Sequence, residues 1–283
     1  MPLFAFTPQV ALLGLVGAAV AAWRRWWAGA ALAAACSAML LGLLAPRALP
    51  DRAPADAPGV RLRVLAANVG GADAAAPRVL NEVRRWDVDV FSAVELQPEL
   101  ALAYDSAGAR SLFPHRTLRP LPGFDGTGLY SRLPLRPLPG LRGTASRLAT
   151  AELRPSGATP VEIVSVDLPA PTHRHGAAQW RREMRALPTA GAAPVRVLAG
   201  DFNATLDHAE LRRLLERGYH DVAERAGVAL RPTWPAGETL IPALITIDHV
   251  LADRRARVVS ARSVAIPGSD HRGVLAELVL PQG

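Results

Sequence analysis

Hydrophobic and polar positions fall into three regimes along the chain. In "LFAFTPQVALLGLVGAAVAA" (3–22) and "AGAALAAACSAMLLGLLA" (28–45) no residue is charged and apolar side chains recur without a polar face. At 20 and 18 residues, both runs approach the length of a bilayer crossing. Between them, "WRRWW" sets Arg24 and Arg25 among tryptophans, the pattern of an interfacial turn with indoles at head-group level and guanidinium groups in water. Residues 1–45 therefore read as a membrane anchor, a transmembrane helical hairpin with both ends outside the cytoplasm. Thr7, Pro8 and Gln9 interrupt the first run, leaving only 10–22 cleanly apolar. Two rivals stand beside this reading. A secretory signal would want a positive charge before the first run, and the nearby A-x-A pattern, Ala55-Asp56-Ala57, lies beyond the second. A single anchor could reverse the side of the domain, because Arg47 and Arg52 on the far flank match the two arginines of the turn.

The second regime, "PRALPDRAPADAPG" (46–59), is rich in proline and alanine and has no apolar period, so it reads as an extended linker. From residue 60 to 283 short apolar runs alternate with helical patterns. Strands are expected at 60–69, 88–96, 127–132, 147–153, 161–168, 195–200, 245–252, 257–264 and 273–280, and helices at 74–86, 97–109, 174–187 and 207–217. Strands outnumber helices about two to one and come both singly after helices and in consecutive runs. That favours sheets packed on one another with helices outside, an α/β layered sandwich.

Composition changes this picture little. All 32 basic residues are arginines and the net charge is +7, with about +5 on the part after residue 57. Such a domain is mildly basic, and a solvated arginine-rich surface accounts for it without a nucleic-acid partner. The one cysteine, Cys36, lies inside an apolar run, which leaves no disulfide framework and no cysteine-based metal site.

The ends of the apolar runs carry the candidate chemistry. Asn68 follows "VLAA", Glu95 follows "VFSAV", Asp167 follows "VEIVSV", Asp201 and Asn203 follow "VRVLA", and Asp248 and His249 sit in "ITIDHVLA". "PGSDH" adds Asp270 and His271 just before the last strand. Any one of these could cap a helix or satisfy a turn, but strand ends on one edge of a sheet converge and can line one cleft. Oxygen donors such as Glu95, Asn68 and Asp270 suit Mg²⁺ or Mn²⁺, whereas the lack of cysteines and of an H-x-x-x-H pair argues against zinc. A histidine paired with a buried carboxylate can act as a general base or stabilise a phosphorane. Asn203 can donate to phosphoryl oxygens without adding negative charge.

"VELQPE", "GTGLYSRLPL", "AGDFNAT", "TIDHVLA" and "GSDHRGV", in this order and spacing, resemble the endonuclease/exonuclease/phosphatase superfamily, the group of DNase I, abasic-site endonucleases, sphingomyelinases and inositol phosphatases. The resemblance covers about residues 60–283 and implies a four-layer αββα sandwich. It implies that Glu95 binds the metal beside Asn68, and that Asp201 and Asn203 orient the attacking water and bind the phosphate. It also implies that Asp248 pairs with His271 and that Asp270 is a second acid on the metal side. One position departs: where many members carry a histidine or tyrosine, "SVDLPAP" carries Asp167. Either Asp167 is a further metal ligand, or His173 or His175 of "PTHRH" takes up the substrate-binding role.

The leading expectation is a membrane-tethered, metal-dependent phosphoester hydrolase acting outside the cytoplasm on a lipid-linked or phospholipid phosphate, with no obligate protein partner implied. The alternatives are an extracellular nuclease, for which "RRWD" and "RPTWP" are the modest basic and aromatic candidates, and a binding module impaired at Asp167.

Overall fold

Alternating burial along the strands builds a core between two sheets. The structure, a computed structural model, describes residues 5–72, 75–144, 148–172, 174–191, 194–237 and 242–283. Two apolar helices open it, α1 (Thr7–Trp23) and α2 (Trp27–Leu44), followed by a 3-10 turn at Ala45–Ala48. Then come β1 (Arg61–Asn68), α3 (Ala76–Arg85), β2 (Val90–Val94), α4 (Pro98–Ser106), α5 (Ala109–Leu112), β3 (His115–Arg119) and β4 (Thr127–Ser131). The chain continues through β5 (Leu135–Pro137), β6 (Thr150–Leu153), β7 (Val161–Asp167), α6 (Arg174–Ala186), β8 (Val195–Asp201) and α7 (Ala209–Glu216). It closes with β9 (Tyr219–Asp221), α8 (Val222–Arg225), β10 (Asp248–Asp253), β11 (Arg257–Ala265) and β12 (Arg272–Val279).

One sheet has the order β11-β12-β1-β2-β4-β3 and the other β5-β6-β7-β8-β10-β9. At the centre of each, a parallel pair (β1 with β2, β7 with β8) is joined through a helix, α3 or α6, while the other pairings are antiparallel. Strand alternation sends Val64 and Ala66 of β1 between the sheets, with Val90, Ile163, Val197, Val250 and Ala276. The intervening Leu65 and Ala67 face outward, into a second core with Val79, Leu80, Leu100 and Tyr104 of α3 and α4. On the other side, Val164, Val166 and Leu198 meet Trp180 of α6 and Leu211 of α7. The layers are thus helix, sheet, sheet, helix, the sandwich expected from the sequence. Each of the nine expected strands is present within a few residues; Arg147 and Ala74, at the edges of two expected elements, lie outside the described residues.

Residues 50–58 contain no helix or strand but lie against the domain. The Asp51 amide donates to the Arg225 carbonyl (2.8 Å) and the Ala53 amide to that of Val258 (2.7 Å), and Ala57 packs with Val259 and Val279. The helices α1 and α2 pack side by side across Gly14: a Cβ there would stand 2.2 Å from Ser37 Oγ, so a larger residue would require the Ser37 hydroxyl to turn away. Their other faces are apolar and uncovered, with Leu13, Val16, Leu32 and Met39 all exposed. Among the described residues one helical segment, Trp27–Ala48, is long and apolar enough to cross a membrane; Thr7–Trp23 is shorter.

Candidate active site

Topology brings the polar strand ends to one edge. Asn68 ends β1 and pairs in register with Val94, so Glu95 follows at the same level. Asp167 and Asp201 are register partners at the ends of β7 and β8, and Asp248 opens β10 opposite Asp201. Because β12 runs antiparallel to β1, Asp270 and His271 arrive at the end where β1 leaves. Gly200 makes the approach of β7 and β8 possible: it has φ +148°, and a Cβ on it would lie 2.0 Å from the Val166 carbonyl oxygen. This accounts for the glycine of "GDFN".

A cleft of about 760 Å³ opens at this edge, with Glu95, Asp201, Asn203, Asp270 and His271 on its polar wall. Asn68 Nδ2 donates to Glu95 Oε1 (2.8 Å), and the Gly70 amide donates to Asn68 Oδ1 (3.0 Å), which fixes the orientation of the amide. Glu95 has φ +56°, and its backbone amide donates to Asp167. A non-glycine residue held in the left-handed region stores backbone strain, here compensated by that bond. Burial, with the charges of Asp270 and Asp248, raises the Glu95 carboxyl above its usual range against the opposing effects of Asn68 and His271.

Asp201 Oδ1 accepts from the Asn203 amide (2.7 Å), and Asn203 Nδ2 donates to the Leu168 carbonyl (2.8 Å). Burial and the neighbouring Asp248 raise the Asp201 carboxyl, with His271 and the Asn203 amide opposing. His271 Nδ1 lies 2.9 Å from Asp248 Oδ2. Burial alone would lower the His271 pKa, but Asp248, Asp201 and Asp270 outweigh it and lift it to about 10, so the ring is an imidazolium at neutral pH. Asp270 is exposed at the rim, where its Oδ2 accepts from Trp234 Nε1 (3.2 Å).

Asp167 is buried beneath the cleft rather than on its wall. Burial, with the charges of Asp201 and Glu95, pushes its carboxyl well above the usual range, against the opposing effect of the Glu95 amide. His175 is exposed on the first turn of α6, away from the cleft lining, and His173 lies outside the described residues. Strand alternation turns His249 away from its neighbour Asp248. Its Nδ1 lies 2.7 Å from Asp221 Oδ2 and its Nε2 2.8 Å from the Ala204 carbonyl oxygen, a buried tie between β9, β10 and the loop after β8.

Sequence reasoning missed His208, which also lines the cleft. The Thr205 amide donates to His208 Nδ1 (3.0 Å), which places the ring proton on Nε2; burial lowers the pKa, so the ring is a neutral donor. No local pattern in "ATLDH" signals this, because the role comes from a turn that folds the side chain back over the loop.

The residues present fit a divalent cation. Carboxylates of Glu95, Asp201, Asp248 and Asp270 converge, and their mutual repulsion is what a cation would offset. Asp248 Oδ1 is buried without a hydrogen-bond partner among the described residues. Donor atoms of Asp201, Asp248 and His271 all lie within 4.8 Å of one another, a group that could hold a metal ion only in place of the imidazolium proton. Two face-to-face sheets with this carboxylate, amide and histidine cluster at their common edge define a phosphoester hydrolase that works with a divalent metal.

Residues 65–271 match the sequence model of the Endonuclease/Exonuclease/phosphatase family, and the chain belongs to that family. Its fold is similar to an endonuclease/exonuclease/phosphatase from Beutenbergia cavernae at 21% identity and TM-score 0.58, covering 78% of this chain and 72% of that one. It is also similar to a family protein from Bacteroides vulgatus (15% identity, TM-score 0.60, 78% and 99% covered). A third similar structure is a humanized D. rerio TDP2 (16% identity, TM-score 0.60, 77% and 98% covered). No curated protein matches the chain by sequence.

Proposed function

We propose that this chain is a membrane-tethered hydrolase of lipid-linked or phospholipid phosphates, working with Mg²⁺ or Mn²⁺ on the outer side of the membrane. The observation that carries the reading is the mixed lining of the cleft. Glu95, Asp201, Asp270 and His271 share it with Phe124, Trp234, Ile245 and Ile247. Among the described residues no arginine lines it, although the chain has 32, which disfavours a track for a nucleic-acid backbone.

Glu95, Asn68 and Asp270 would hold the metal, which when bound neutralises charge developing on the phosphoryl group. The 2.9 Å between His271 Nδ1 and Asp248 Oδ2 is a hydrogen-bond length already filled by a proton, which supports a cation on the Glu95 side. Asp201, raised toward neutrality and oriented by the Asn203 amide, accepts the proton of the attacking water. The water oxygen bonds to phosphorus as the ester oxygen leaves in line. The His271 imidazolium, held by Asp248, stabilises the phosphorane oxygens, and Asn203 positions the phosphate. Asp167 supports Glu95 from below. The anchor reading rests on the uncovered apolar faces of α1 and α2 and on the Trp-flanked turn, which together would form the hairpin.

Full-length protein in mixed micelles, given a diacyl phospholipid, an isoprenoid diphosphate, bis-p-nitrophenyl phosphate or duplex DNA with Mg²⁺, Mn²⁺ or EDTA, tests this beside His271→Ala. Metal-dependent cleavage of a lipid phosphate, lost in the variant, is the expected result. Preference for DNA over both lipids would overturn the lipid reading.

A further inference from the structure

The first turn of the anchor stands inside the same cleft as the catalytic carboxylates. Ala5 and Phe6 line it together with Glu95, Asp201 and His271. Two contacts fix the helix pair there. Gln9 Nε2 donates to the Leu244 carbonyl (2.5 Å), and Arg47 donates to both carboxylate oxygens of Asp207 (2.7 and 3.1 Å). Both receiving segments border the cleft: Ile245 and Ile247 follow Leu244 on its wall, and His208 follows Asp207. The start of α1 and the end of α2 are therefore attached to the rim of the site, and the Trp-flanked turn lies at the far end of the pair.

We propose that the anchor supplies half of a hydrocarbon-binding subsite. The substrate's chain would lie between Phe6 of the anchor and Phe124, Trp234 and Ile245 of the domain, entering alongside α1. Its phosphate would reach the carboxylates and His271. This deepens the lipid-phosphate reading above and rests on it. The occupant follows from continuity at both ends. The apolar lining includes Phe6, and the exposed Val10 and Leu13 follow it one and two turns along α1, while the carboxylates and His271 suit a phosphoester and a cation. A phosphoester carrying a long hydrocarbon chain satisfies both, whereas a protein partner would leave those polar groups without a ligand. Phe124, 71% exposed, lines the cleft, where a bound hydrocarbon chain would cover its ring.

The test compares kcat/KM for phosphodiesters bearing hexadecyl and butyl chains, using full-length protein in mixed micelles with Mg²⁺. Phe6→Asp and Phe124→Ala should each lower the hexadecyl-to-butyl preference by about tenfold or more, because each removes apolar contact with methylenes the short chain lacks. Leu102→Asp, at an exposed apolar position on α4 outside the cleft, should keep the wild-type ratio. Unchanged ratios in both cleft variants would overturn the subsite while leaving the lipid reading intact. A wild-type enzyme that cleaves bis-p-nitrophenyl phosphate but neither chain-bearing diester would overturn the lipid reading itself.

Discussion

Replacing Asp248 with asparagine should strip His271 of much of its charge stabilisation while preserving shape, because the amide oxygen still accepts from Nδ1. In the native protein His271 is lifted from 6.5 to about 10, a difference worth roughly 5 kcal/mol. A group whose folded pKa is raised stabilises the fold fully below its unfolded pKa, and that stability is lost as pH rises through the folded value. The window here runs from about 6.5 to about 10. Asp248 is the first of three carboxylates that raise the ring, with Asp201 and Asp270 sharing the rest. About half the effect, roughly 2 kcal/mol, should therefore disappear in Asp248→Asn at neutral pH and almost none at about pH 10.5. Urea unfolding of both full-length proteins in detergent with EDTA, followed by tryptophan fluorescence across this range, reads the difference directly. A destabilisation independent of pH, or a wild-type His271 titrating near 6.5 by NMR, would refute the reasoning.

EDTA should abolish hydrolysis, with recovery on adding Mg²⁺ or Mn²⁺, as judged by phosphate or alcohol release. Asp167→Asn should keep kcat within about threefold, since burial already disfavours the charged carboxyl and the amide oxygen can still accept from the Glu95 backbone; Asp167→Leu should lose about a hundredfold by the same assay. His208→Asn retains an acceptor near the Thr205 amide but loses the Nε2 donor, so it should cost about tenfold in kcat/KM, whereas His208→Gln should retain most activity; the opposite order would mark a structural role. Asp221→Ala should destabilise the protein by about 3–5 kcal/mol in chemical unfolding, because it strands His249 in the core.

The sandwich was legible because its central strands are apolar runs whose polar residues come at the end that forms the cleft. Elements without that contrast were not. β3, "HRTLR", buries only Thr117, while β5 and β9 have three residues each, too few to show a period, and all three lie on sheet edges. The polar exits at Asn68, Glu95, Asp201, Asp248 and His271 were visible as a set because each is costly on a buried strand unless used. His249 shows the limit: it is adjacent to Asp248 in sequence, but strand alternation gives it a different partner, Asp221, 28 positions away. The place of Phe6 was equally hidden, since nothing in an apolar run says which end of a helix will rest on a cleft more than 80 residues downstream.

Residues 50–58 run along the domain under backbone hydrogen bonds, so the catalytic unit does not swing on a loose tether. Were the proposed anchor seated in a bilayer, the enzyme would meet the proposed lipid substrates by lateral diffusion in two dimensions. Its rate would follow the mole fraction of substrate in the surface rather than the bulk concentration, and diluting that surface with inert detergent would slow it even with total substrate held constant.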